Sequence, residues 1–210
     1  MSLPEVLTRI GQLQGLMSPP APAPPPVATP ATASPTAFAA QLQSASPMAG
    51  ATALATAAPT SAGGTAAGQA ILKLVRQEVG VQEEPPGSNN GARIGQYRQA
   101  TAGSGVGPWC AYFTSWAARN AGVPLGDSGQ GFGRVDDVYA WAQRTGKAIP
   151  AGSQPPKPGD LIVWDEHIGV VESVDPDGSI HTIEGNSSDS VARRDYGADG
   201  GGAIGFVRLG

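Results

Sequence analysis

From Ile10 to Leu72 the chain carries no Asp, Glu, Lys or Arg. Within that stretch, Ala, Pro, Thr, Ser and Gly supply 42 of the 49 residues from Ser18 to Ala66. Ordering a backbone costs roughly 1–2 kcal/mol per residue, which buried apolar side chains must offset. Residues 18–66 have almost no large ones, so they are expected to form a disordered linker with polyproline character around Pro19–Pro26. The core of this 210-residue chain must therefore come from residues 67–210, and roughly 140 residues suffice for one domain.

Ahead of the linker, Leu3, Val6, Leu7, Ile10, Leu13 and Leu16 recur at helical spacing, with Ser2 placed to cap before Pro4. They predict a short amphipathic helix over residues 1–17. Either a frayed tail or a docking or export element fits that pattern. It does not read as a secretory signal, because Glu5, Thr8, Arg9, Gln12 and Gln14 interrupt the apolar run. No run approaches the ~18 apolar residues of a transmembrane helix. A net charge of −4 argues against nucleic acid as a partner, since phosphate binding needs a basic patch.

In the second part of the chain the period changes once. Ile71, Leu72, Val75 and Val79 mark a helix over 67–80, and Ile94 and Tyr97 mark a shorter one over 93–102. Further helices are predicted over 109–121, closed by Gly122, and over 135–145, ending at Gly146. After Pro158 the segments 160–164, 167–174, 179–184 and 204–209 read as strands. Helices first and strands afterwards predict an α+β domain, the helices packed on an antiparallel sheet. Asp175-Pro176-Asp177-Gly178 has the composition of a hairpin turn.

A lone cysteine excludes an internal disulfide and is more often a buried apolar residue than a nucleophile. Cys110 departs from that expectation by its place in the first turn of the third helix, where unpaired N–H groups and the helix dipole favour a thiolate. A thiol nucleophile needs a base, and the chain has two histidines. If Val174 faces Ser179 across the turn, Gly169 faces Glu184 and Asn186 faces His167. His167, Glu184 and Asn186 then share one face of the hairpin, within ~5 Å for facing positions and ~7–8 Å for diagonal ones. Gly169 leaves room for the Glu184 side chain. In that register His181 opposes Glu172 and points the other way, as a solvent-exposed residue. A zinc site built from Cys110, His167 and His181 is thereby disfavoured.

The blocks Pro108–Trp116 (PWCAYFTSW), Lys157–Trp164 (KPGDLIVW), His167–Glu172 (HIGVVE) and Ile183–Asn186 (IEGN) together resemble the CHAP domain, the cysteine, histidine-dependent amidohydrolases and peptidases. The resemblance covers about 67–210. It implies a papain-like fold and hydrolysis of an amide bond in peptidoglycan, by muramoyl-alanine amidase or endopeptidase action. It also implies Cys110 as nucleophile, His167 as base, Glu184 orienting the imidazole and Asn186 as a supporting polar group.

The glutamine that papain-like sites commonly place before the nucleophile is missing from Gly105–Trp109. The Cys110 N–H can be one oxyanion donor, and the second is unassigned. Most of the aromatic residues Tyr112, Trp116, Trp141 and Trp164 suit a core, whereas Trp109 is expected to contact substrate. Glu83, Glu84, Asn89 and Asn90 lack the oxygen spacing of a calcium loop, and no metal or cofactor is expected. A catalytically inactive wall-binding module and a thiol acyltransferase are the competing readings. Peptidoglycan as substrate implies a cell-envelope or extracellular location. The leucine-rich start and uncharged tract resemble the N-termini of flagellar-export-associated wall hydrolases, which would make flagellar export or rod components partners; release as a phage lysin is the other route.

Overall fold

The computed structural model describes residues 63–210. The helix expected at 1–17, and the linker up to residue 62, lie outside the described residues. Among the described residues, the first helix starts at Ala66, one residue before the expected start. Thr65 caps helix α1 (Ala66–Glu78) by accepting the Gly68 N–H at 2.9 Å, and its hydroxyl donates to the Leu209 carbonyl at 2.5 Å. That second bond ties the start of the domain to its far end.

Three more helices are described: α2 (Ala92–Arg98), α3 (Cys110–Asn120) and α4 (Val135–Arg144). Each follows the apolar spacing of its sequence. Ile71, Leu72 and Val75 of α1 and Ile94 and Tyr97 of α2 are fully buried. Gly122 and Gly146 stand at positive φ just beyond α3 and α4, where a Cβ would be strained and glycine stops the helix at little cost. Helix α3 is the central one. Cys110 through Ser115 are all buried, and so are Ala117 and Ala118, whose small side chains allow close packing.

The sheet has six antiparallel strands: β1 (Ala148–Pro150), β2 (Leu161–Val163), β3 (Ile168–Val174), β4 (Ile180–Glu184), β5 (Ala192–Tyr196) and β6 (Gly205–Val207). Their order is β1-β6-β2-β3-β4-β5. The expected α+β architecture is thus what the chain adopts. One sheet face, with Leu161, Val163, Ile168, Val170 and Ile183, joins the helices in the main core. The other, with Ile162, Val171, Ile180 and Phe206, forms a smaller cluster. Among the described residues, no helix is long and apolar enough to cross a membrane.

Two strands were not expected, and they are the two edges. Strand β1 has three residues and ends in proline; β5 reads Ala-Arg-Arg-Asp-Tyr and is half exposed. Short, charged or proline-bearing edges resist pairing with other chains, and the same features remove the apolar alternation that marks a strand.

The hairpin register also needs a correction at its turn. Val174 faces Ile180 rather than Ser179, and Ser173 faces His181. A bulge between Val171 and Ser173 absorbs the one-residue difference. Beyond it Val171 faces Thr182 and Val170 faces Ile183, so the register at the far end of the hairpin is the expected one. Glu172, the bulged residue, is anchored by Arg76 of α1 at 2.8 Å and by Arg193 of β5 at 2.6 Å.

Candidate active site

Three elements meet at the candidate site. The start of α3 brings Cys110, which is buried with 4% of its surface exposed. The start of β3 brings His167, where the Trp164 N–H bonds to the His167 carbonyl at 2.8 Å and closes the β2–β3 turn. The end of β4 packs on α3 through Gly185. A Cβ there would approach Phe113 Cβ to 2.6 Å and the Trp109 ring to 2.9 Å, so only glycine permits this approach.

The Glu184 Oε2 lies 2.9 Å from His167 Nε2. With Nε2 engaged, Nδ1 is the nitrogen left for the Cys110 sulfur. Gly169 makes the room that the sequence suggested: a Cβ on it would sit 2.7 Å from Glu184 Cγ. Burial alone would lower the pKa of His167. Hydrogen bonding to Cys110 and then to Glu184 outweighs it and raises the pKa to about 9. For Glu184, burial acts to raise the pKa, but the His167, Thr182 and Tyr196 hydrogen bonds prevail and hold it below the usual carboxylate value. The pair therefore favours imidazolium beside carboxylate.

Asn186 is not joined to the histidine in this way. It stands in the turn after β4 at φ 60°, and among the described residues its amide has no hydrogen bond to His167. Trp109, where a substrate contact was expected, is held inside the fold. Its side chain is fully buried, stacks on Tyr97 with ring centroids 5.8 Å apart, and donates its N–H to Glu83 Oε1 at 2.8 Å. The other Glu83 oxygen accepts the Asn89 N–H at 2.7 Å. Trp109 and Glu83 thus fasten the 83–91 loop beneath the start of α3, which is a packing role.

His181 points away from the site, as expected, but it is not a free surface residue. Its ring lies between Asp195 at 2.6 Å and Asp175 at 3.0 Å, tying the hairpin turn to β5. Those two carboxylates raise its pKa.

Three residues around the site were not singled out for it. Thr182 donates to Glu184 Oε1 at 2.6 Å and Tyr196 donates to the same oxygen at 2.9 Å. The Trp164 ring lies 5.6 Å from the His167 ring. Thr182 could have been found, since it precedes Glu184 by two residues on the same strand face. Tyr196 lies on the unanticipated strand β5, so its position was out of reach.

Residues 101–186 match the model of the CHAP domain, a span that contains all four blocks on which the resemblance was based. Among solved structures, the peptidoglycan hydrolase RipB from Mycobacterium tuberculosis is similar at 17% sequence identity, with a TM-score of 0.41, over 68% of this chain and 64% of that one. The chain thus spans less than two thirds of that protein. No curated protein matches.

Proposed function

Given a CHAP domain at residues 101–186, we propose that this chain is a cysteine amidohydrolase that cleaves an amide bond in the stem or cross-bridge peptide of peptidoglycan. The observation that carries the reading is the His167–Glu184 contact of 2.9 Å beside a cysteine in the first turn of α3.

The Cys110 sulfur attacks the amide carbonyl carbon as thiolate, and the carbonyl π electrons move onto oxygen. The Cys110 backbone N–H, unpaired at the start of the helix, points a donor at that oxyanion. His167, as imidazolium, gives the proton on its sulfur-facing nitrogen to the departing amine, and the C–N bond breaks to leave a thioester. His167, now neutral, removes a proton from water. The hydroxide adds to the thioester and the C–S bond breaks, which forms a carboxylic acid and the thiolate; the acid then loses its proton to solvent. Glu184 stays ionised throughout; it fixes the ring orientation and stabilises the imidazolium.

Such a substrate lies outside the cytoplasmic membrane, which puts the enzyme in the cell envelope or outside the cell. Purified walls treated with the protein should lose turbidity, and Cys110→Ser should not clear them. Mass spectrometry of the released muropeptides assigns the bond. Loss of the stem peptide from muramic acid marks an amidase, and shortened or uncross-linked peptides mark an endopeptidase. A wild-type protein that binds walls without clearing them overturns the reading in favour of an inactive binding module.

A further inference from the structure

We propose that Tyr196 is a positioning residue of this site, its hydroxyl keeping the Glu184 carboxylate ionised and aimed at His167. The inference rests on the catalytic reading of Cys110, His167 and Glu184 and extends it to a strand outside the 101–186 match.

Glu184 is 1% exposed, and a buried carboxylate stays charged only where donors replace water. Oε2 is committed to His167, so Oε1 needs its own donors. Thr182 has one hydroxyl proton and two acceptors within reach, Glu184 Oε1 at 2.6 Å and the Arg194 carbonyl at 3.3 Å. Tyr196 donates to Oε1 at 2.9 Å. Burial, together with the neighbouring carboxylate, raises the pKa of the Tyr196 phenol, so it remains a donor across the working pH range.

The Tyr196 ring is itself held in place. It packs against Trp164 with centroids 5.1 Å apart, and Trp164 also contacts the His167 ring. The indole N–H of Trp164 donates to the Gly200 carbonyl at 2.9 Å. Gly201 lies so close to Tyr196 that a Cβ would fall 2.5 Å from its Cδ1, and both glycines stand at φ 64°. The 197–203 loop therefore presses Trp164 and Tyr196 against the imidazole and the carboxylate together.

The test is Tyr196→Phe in the full-length protein, which keeps the ring and its contact with Trp164 and removes only the hydroxyl. The carboxyl ¹³C resonance of Glu184, assigned by its loss in Glu184→Gln, is followed against pH. The midpoint should rise by about one pH unit, the size expected for one hydrogen bond to a charged group. On purified walls kcat should fall about 3- to 10-fold with the half-saturating wall concentration unchanged, as expected for a group acting through another. Thr182→Val, which removes the other hydroxyl, should raise the midpoint in the same direction. An unmoved midpoint in Tyr196→Phe, with a lowered Tm or without one, overturns the proposal and leaves Tyr196 a packing residue. Because the titration needs no substrate, a wild-type protein inert on walls would sink the peptidoglycan reading while the midpoint still decides the role of Tyr196.

Discussion

A sulfur and a carboxylate both act on His167, and the chemistry proposed for it depends on its charge. With its pKa raised to about 9, the imidazolium proposed to protonate the leaving amine is present below that pH and lost above it. Hydrolysis should therefore decline on the alkaline side with a midpoint near pH 9, measured as the pH profile of wall clearing. Glu184 is one of the groups that raise this pKa, so Glu184→Gln should move the alkaline limb to lower pH. The same change should slow turnover roughly 10²- to 10⁴-fold, the scale seen when a triad carboxylate is neutralised. His167→Ala should be as damaging as Cys110→Ser, whereas His181→Ala should leave turnover nearly unchanged, because its ring is committed to Asp175 and Asp195. Loss of activity in His181→Ala with Glu184→Gln unaffected would contradict this division of roles.

At the scale of elements, the site depends on the β3–β4 hairpin holding its register. Gly169→Ala tests this, because the added Cβ would fall 2.7 Å from Glu184 Cγ. The change should cost about 1–3 kcal/mol of stability, as overpacking does, and should reduce turnover at least ~10-fold with near-ultraviolet circular dichroism preserved. The sequence carried the helices because their large apolar residues recur at helical spacing, and because α1, α3 and α4 are each followed within two residues by a glycine at positive φ, Gly80, Gly122 and Gly146. It carried the central strands because both faces of β2, β3 and β4 bury β-branched residues, as at Ile162, Val171 and Ile183. It did not carry β1 or β5, whose edge positions favour proline and charge over apolar alternation. Register was legible only at the site end. The turn composition suggested one pairing, and the bulge at Glu172 restored alignment before Gly169 and Glu184 were reached. The direction of Trp109 was illegible for a related reason: adjacency to Cys110 in sequence says nothing about which way an indole points, and Glu83 draws this one inward.

For the whole molecule, α1 begins at the Thr65 cap, ahead of its first large apolar residue. A chain lacking residues 1–62 should unfold at the same temperature as the full protein and clear purified walls as fast. Extending the deletion through residue 66 removes the Thr65 bonds to Gly68 and Leu209 and should lower stability by about 1 kcal/mol, typical of a lost N-cap. Thermal unfolding of the three proteins checks both statements. The central claim, that a thiol here cleaves amide bonds of the cell wall, is tested most directly by end-group analysis of purified peptidoglycan after digestion. The account predicts new free amino groups without new reducing sugar ends, and none of either with Cys110→Ser; reducing ends, or amino groups still released by Cys110→Ser, would contradict it.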